Sequence, residues 1–179
     1  MSEYYLGIGS NIDPEFHIAQ AIVSLTSFAP RLHLSRILVT APVEIESESL
    51  FLNLAACFSS PLSQSALKER LNRLEVLLGR DRGDPLRKVK DRSIDLDILF
   101  SLQDGGEGQQ QAPPLPEEPY LRPQVQELLE YLDRPCDPSS APLPTGKPLA
   151  LETLTIGQGP RTIGCGRDGR LFAATDPWG

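Results

Sequence analysis

An α+β sandwich is the fold this chain predicts. Between residues 4 and 100, strand-like and helix-like runs follow in the order strand, helix, strand, strand, helix, strand. Both helical runs carry an apolar stripe at three- and four-residue spacing. The last strand alternates carboxylates with large aliphatics, the period of two that separates the faces of a sheet. This is the order of the ferredoxin-like βαββαβ sandwich, an antiparallel sheet with helices packed on it.

The first strand is Tyr4 to Ile8, followed by Gly9-Ser10-Asn11 and a helix from about Pro14 to Phe28. Pro14 suits the first helical position and Asp13 the cap, while Ile18, Ala21, Ile22, Leu25 and Phe28 form the stripe. Gly7-Ile8-Gly9 lacks the third glycine of a dinucleotide fingerprint, so Gly9 is read as a tight turn or a close approach to a ligand. Strand signals run from Leu32 to Thr40, break at Ala41-Pro42 and resume from Phe51 to Phe58. A second helix starts near Ser63 or Ser65, carries Leu67, Leu71, Leu74 and Leu78 inward, and stops at Gly79. A last helix spans about Pro123 to Leu132.

The strand Arg92 to Phe100 places Asp95 and Asp97 on one face and Leu96 and Ile98 on the other. Two ionised carboxylates side by side call for a cation, and magnesium fits, since it is held by one or two carboxylates and substrate phosphates. An edge strand with a solvated acidic face reads equally well from these residues alone. Just upstream, Arg80, Arg82, Arg87, Lys88, Lys90 and Arg92 gather six of the 17 basic residues of a chain whose net charge is -7. Such a local cluster argues against an extended nucleic-acid surface. Beside paired carboxylates it suggests a polyphosphate held by guanidinium forks and a metal, the alternative being a solvated charged loop.

A length of 179 residues suits one domain, 1–179. Within it, 102–115 is rich in Gly, Gln and Pro and reads as a flexible loop or insertion, and 133–179 reads as an irregular, proline-rich C-terminal segment with a strand or hairpin near Leu171 to Ala173. No run approaches the ~18 apolar residues of a membrane span, and no secretory signal is visible, so a cytoplasmic monomer without membrane or nucleic-acid partners is expected. Cys57, Cys136 and Cys165, with His17 and His33, do not have the spacing of a zinc site, and Cys57 reads as a small core hydrophobe.

Five ordered pieces resemble the 6-hydroxymethyl-7,8-dihydropterin pyrophosphokinase family. They are Tyr5-Leu6-Gly7-Ile8-Gly9-Ser10-Asn11, Thr40-Ala41-Pro42, Phe51-Leu52-Asn53, Leu74-Glu75 with Gly79-Arg80-Asp81-Arg82, and Arg92 to Leu99. The resemblance implies pyrophosphoryl transfer from ATP to the hydroxymethyl oxygen of the pterin, in folate biosynthesis, releasing AMP. It implies that Asp95 and Asp97 hold two Mg²⁺ ions, that the catalytic Arg82 and Arg92 bind the phosphates, and that Arg80 belongs to a mobile catalytic loop. Gly9, Thr40, Pro42, Val43, Phe51 and Asn53 would bind the pterin, with Phe51 stacking and Asn53 hydrogen-bonding. Glu75, Arg82, Lys88, Arg92, Ile98 and Arg122 would contact ATP.

The second half departs from the family's pattern. Pro116-Glu117-Glu118 stands where a Pro-His is usual, and Arg122-Pro123-Gln124 where an Arg-x-Phe is usual. The basic loop has no aromatic, and the lone tryptophan is Trp178. These departures imply a phosphate half like that of the family and a pterin site with Phe51 as its single stacking partner. They leave room for a paralogue acting on a related pterin, or for a non-catalytic nucleotide-binding module.

Overall fold

A computed structural model of the chain describes residues 1–43, 47–86, 90–103, 112–137 and 142–174. Lys88, Trp178 and most of the 102–115 segment lie outside the described residues. The elements are β1 (Ser2–Ser10), α1 (Pro14–Thr26), β2 (Arg31–Leu34), β3 (Leu38–Thr40), β4 (Phe51–Ser60), α2 (Gln64–Leu77), β5 (Asp95–Gln103) and α3 (Arg122–Tyr131), followed by β6 (Leu149–Leu151), β7 (Leu154–Ile156), β8 (Arg161–Cys165) and β9 (Leu171–Ala174). The fold is α+β: an antiparallel sheet in the order β5-β1-β4-β2-β8-β9, with β3 also on β4 and three helices packed on it. No helix among the described residues is long and apolar enough to cross a membrane.

Alternation along the central strands sorts side chains to two cores. Tyr4, Leu6 and Ile8 of β1 join Leu54, Ala56 and Phe58 of β4 and the stripes of α1 and α2, including Ile18, Ile22, Leu67 and Leu71. Tyr5, Ala55 and Cys57 face the other way and are covered by Val125, Leu128 and Leu129 of α3. Cys57 is a fully buried free thiol in that second core. β5 changes step once, because Leu6 pairs with Ile98 but Tyr5 with Phe100. The extra residue lets both Leu99 and Phe100 join the α3-side core, and Phe100 stacks on Tyr5 with ring centroids 4.4 Å apart.

Three local readings are corrected. Asp13 occupies the position before α1, but its backbone is left-handed (φ 41°) and its side chain makes no capping bond; the helix ends at Thr26 rather than Phe28. The single strand expected over 32–40 is broken at 35–37, where Ser35 Oγ takes the Ala55 N–H at 2.9 Å in place of a ladder carbonyl. There Arg36 turns away to Glu127, and Ile37 exchanges backbone bonds with Gly157 and Lys147. The segment after residue 132, which reads as irregular, holds four short strands. Leu149, Leu151 and Ile156 of β6 and β7 enter the main core, β8 pairs with β2, and β9 coincides with the strand expected near Leu171. Runs of three to five residues between prolines and glycines are too short for periodicity to reveal.

α2 follows its sequence closely. Ser63 Oγ accepts the Ala66 N–H at its start, and Gly79 at its end takes φ 89°, which returns the Arg80 N–H to the Glu75 carbonyl at 2.9 Å. That turn brings the basic segment back against the helix that precedes it.

Candidate active site

The α3-side face of β1 reads Glu3, Tyr5, Gly7, Gly9, so its first half is filled and its second half is bare. Register places Gly9 between Asn53 of β4 and Asp95 of β5, and Gly7 between Ala55 and Asp97. The two glycines thus floor a trough with an amide on one bank and two carboxylates on the other, about 10 Å apart at two strand spacings. A Cβ on Gly9 would come 2.5 Å from Asn53 Oδ1, and one on Gly7 2.7 Å from Leu121 Cδ1. Any side chain here would fill the cleft, which is the close approach expected of Gly9.

One bank suits a flat polar ring. Phe51, Asn53, Thr40, Ala41 and Val43 line it. Asn53 Nδ2 donates to Thr40 Oγ1 at 2.7 Å, which directs Oδ1 toward Gly9 as a hydrogen-bond acceptor. Pro42 lies between two lining residues without lining the cleft itself. Arg92 stands where this bank meets the other, its guanidinium carbon 5.8 Å from the centre of the Phe51 ring.

The opposite bank is ionic. Asp95 accepts from both Arg80 and Arg92, one on each oxygen. Burial alone would raise its pKa, but the two guanidiniums beside it overcome that and hold it below the ordinary carboxylate value. Burial also pulls the Arg80 pKa down, but Asp95 and Glu75 outweigh it and leave it raised. Glu75, with 0% of its side chain exposed, takes the Leu96 N–H at 2.7 Å, Arg80 at 2.8 Å and Arg82 on its other oxygen. Its burial outweighs these partners and keeps its pKa raised. Asp97 is 58% exposed and binds Lys68 Nζ at 2.7 Å. Asn11 fixes the near end of the basic segment, accepting the Arg92 N–H at 2.8 Å and donating to Asp91 Oδ1 at 2.7 Å.

Gly9, Thr40, Val43, Phe51, Asn53, Arg92, Asp95 and Asp97 therefore come together in one cleft, with Arg80 and Arg82 tied to it through Glu75. Three other expected nucleotide contacts, Glu75, Ile98 and Arg122, do not line this cleft, and Lys88 lies outside the described residues. Glu75 is sealed beneath the site with both oxygens engaged, so it supports arginines rather than facing the cleft. Ile98 packs with the α1–α2 core on the opposite face. Arg122 donates to the carbonyls of Pro116 and Glu117, closing its own loop.

An aromatic besides Phe51 also lines the cleft. Gln124 is fully buried under Asn53, donating to its carbonyl at 3.3 Å, while Tyr120, with Glu118 and Leu121, lines the cleft instead. Burial, then Glu118 and Asp95, raise the Tyr120 phenol's pKa. The available signal was an aromatic two residues before Arg122. Lys68 carried no local signal, since it meets Asp97 only through the fold.

Among the described residues no three His, Cys, Asp or Glu side chains gather as a ready-made metal cage. Two adjacent carboxylates lining one cleft beside arginines fit a hard divalent cation that completes its shell with phosphate and water.

The family model described as 7,8-dihydro-6-hydroxymethylpterin-pyrophosphokinase matches residues 5–125, from β1 into α3. The chain is also similar to the 2-amino-4-hydroxy-6-hydroxymethyldihydropteridine pyrophosphokinase of Bacillus subtilis (strain 168). The two are 34% identical over 117 residues, covering 63% of this chain and 67% of that protein.

Proposed function

We propose that this chain, which belongs to the 7,8-dihydro-6-hydroxymethylpterin-pyrophosphokinase family and is a pterin pyrophosphokinase of folate biosynthesis, moves the pyrophosphoryl group of ATP onto the hydroxymethyl oxygen of 6-hydroxymethyl-7,8-dihydropterin. The observation that carries this reading is the trough itself, with Asn53 and Asp95 on either side of Gly9. A pterin ring lying on the Asn53 bank points its substituent across Gly9 toward Asp95 and Asp97.

Asn53 Oδ1, fixed by the bond from Nδ2 to Thr40, accepts from the N–H edge of the pyrimidinone, and Phe51 stacks on the ring. Tyr120 adds a second aromatic surface from the α3 side. The acceptor oxygen attacks the β-phosphorus of ATP, the bond from that phosphorus to the oxygen of the α-phosphate breaks, and AMP leaves while the hydroxyl proton is lost. Charge grows on the phosphate oxygens as this happens. Arg80, Arg82 and Arg92 meet that charge, and preorganised donors of this kind are each worth on the order of 10²-fold in rate. Glu75 is a positioning residue for two of them. Asp95 and Asp97 would hold magnesium, two ions being expected with ATP, and the metal would supply Lewis-acid neutralisation of the phosphates. Lys88 is a further candidate for the nucleotide's outer contacts.

A second reading, transfer to a related pterin, is favoured by Glu118, which adds a carboxylate at the exposed rim of the cleft. Such a group suits a longer hydroxylated substituent. Phosphorus NMR of reactions with ATP, magnesium and either 6-hydroxymethyl-7,8-dihydropterin or its trihydroxypropyl analogue tests both. Formation of AMP and the pterin diphosphate with the hydroxymethyl compound is expected. Preference for the analogue supports the second reading, and no AMP with either compound overturns both.

A further inference from the structure

We propose that Lys68 is a positioning residue for Asp97: reaching round the open edge of β5, its ammonium fixes the carboxylate that faces the phosphate end of the cleft and so raises the protein's affinity for a divalent cation there. The inference rests on the metal role given to Asp97 above.

β5 is the terminal strand of the sheet, with β1 on one side only. Leu96, between the two aspartates, pairs with Ile8 and buries its side chain in the α1–α2 core. Its main-chain N–H and C=O point outward, where an edge strand is ordinarily solvated and prone to fray. Both are taken by α2: the N–H by Glu75 Oε1 at 2.7 Å, the C=O by Lys68 Nζ at 3.1 Å. Seven residues apart, Lys68 and Glu75 lie about two turns apart on one helix face. The Asp-Leu-Asp segment is therefore gripped by β1, by the core and by the helix.

Lys68 makes a second bond from the same nitrogen, 2.7 Å to Asp97 Oδ1. An exposed ion pair is ordinarily loose, because ordering two long side chains offsets its attraction. Here the ammonium is already tethered to a strand carbonyl, so it holds Oδ1 while Oδ2 keeps a defined direction. Asp95 is fixed comparably by Arg80 and Arg92. The opposing expectation is electrostatic: a cation beside Asp97 repels a metal, and its removal would tighten binding. The sign of the effect separates the two, since loss of a group that orients a metal-binding carboxylate costs about 10- to 100-fold in affinity.

The test is Mn²⁺ titration followed by electron paramagnetic resonance, with the full chain and a non-transferable ATP analogue. Lys68→Met is expected to weaken Mn²⁺ binding about tenfold at unchanged melting temperature, and Lys68→Arg to restore most of it. In turnover, kcat falls with the acceptor KM unchanged. Unchanged or tighter Mn²⁺ binding by Lys68→Met, with Asp97→Asn strongly weakened, overturns the inference and leaves the metal role of Asp97 intact. If Asp97→Asn also binds Mn²⁺ normally, the metal role falls and the inference with it.

Discussion

Along one face of β1 the filled half and the bare half carry two polar networks of opposite design. At the filled end Glu3 accepts from Tyr5 Oη at 2.6 Å and Arg134 at 2.5 Å, and Thr162 meets both His33 at 2.9 Å and Tyr131 at 3.0 Å, all beneath or beside α3. At the bare end Lys68, Arg80, Arg82 and Arg92 face Glu75, Asp95 and Asp97. One carboxylate matched by one guanidinium closes a network on itself. At the bare end the linked guanidiniums, ammonium and carboxylates instead border an open cleft, lined by Arg92, Asp95 and Asp97, so the network is accessible from outside. The same strand therefore supports stability at one end and chemistry at the other, and the two should separate under mutation.

The largest expected effect is at the open end. Asp97→Asn should lower turnover on the order of 10³-fold or more, since a metal's Lewis-acid contribution is several kcal/mol. With Asp97 more than half exposed, the melting temperature should stay within a degree or two of wild type, as about 0.5 kcal/mol or less is usual for such surface changes. Asp95→Asn should lose both activity and stability, because it removes the carboxylate charge that joins Arg80 and Arg92 in a largely buried setting. Equal thermal losses in the two variants would erase the distinction between an exposed carboxylate and an embedded one.

At the closed end the order reverses. Glu3→Ala removes a buried carboxylate that accepts from both Arg134 and Tyr5 and should cost about 3 kcal/mol of stability, the lower range for breaking a buried ion pair. Turnover at 25 °C should be unaffected in the fraction that stays folded. Urea unfolding and initial rates on the same preparation check this, and a rate loss larger than the loss of folded protein would show that the two ends are coupled.

His33 sharpens the contrast by pH. Burial, with smaller opposing and reinforcing effects from Glu3, Arg31 and Arg134, lowers its pKa from 6.5 to about 4. Below pH 6.5 the unfolded chain binds a proton that the folded chain refuses. Stability is thus complete above 6.5, falls as the pH drops, and levels off near 4. The total is about 3 kcal/mol at 1.36 kcal/mol per unit. Urea midpoints for wild type and His33→Asn across pH 7 to 4 should converge as the pH falls. Parallel lines would show that His33 is not the group responsible.

What the sequence revealed and what it hid follow the same division. Asp95 and Asp97, the paired glycines and the stripes of α1 and α2 are local patterns, readable because period and spacing alone decide which face they occupy. Lys68 and Glu75 converge on Leu96 from another element and Arg122 turns to the carbonyls of its own loop, so neither arrangement is written in a local period, whereas Ile98 faces away from the cleft as its place opposite Asp95 and Asp97 predicts. Gln124 taught the wrong lesson for a related cause. It stands where an aromatic is usual, yet its position is an interior one under Asn53, and Tyr120, four residues earlier, lines the cleft.

The smallest effect tests that substitution directly. If Tyr120 replaces the missing ring, Tyr120→Ala removes one aromatic surface while leaving Asn53, Phe51 and the carboxylate bank in place. An aromatic contact is worth about 1 kcal/mol beyond its area, so the acceptor KM should rise roughly fivefold with the ATP KM unchanged. Tyr120→Phe keeps the ring and drops the hydroxyl that lies in the field of Glu118 and Asp95. It should keep the wild-type acceptor KM if stacking is the whole role, and lower kcat if the hydroxyl also orients the transferred group. An acceptor KM unmoved by Tyr120→Ala would return the pocket to a single ring, Phe51, and transfer the burden of acceptor recognition to Asn53 and the backbone of residues 40–43.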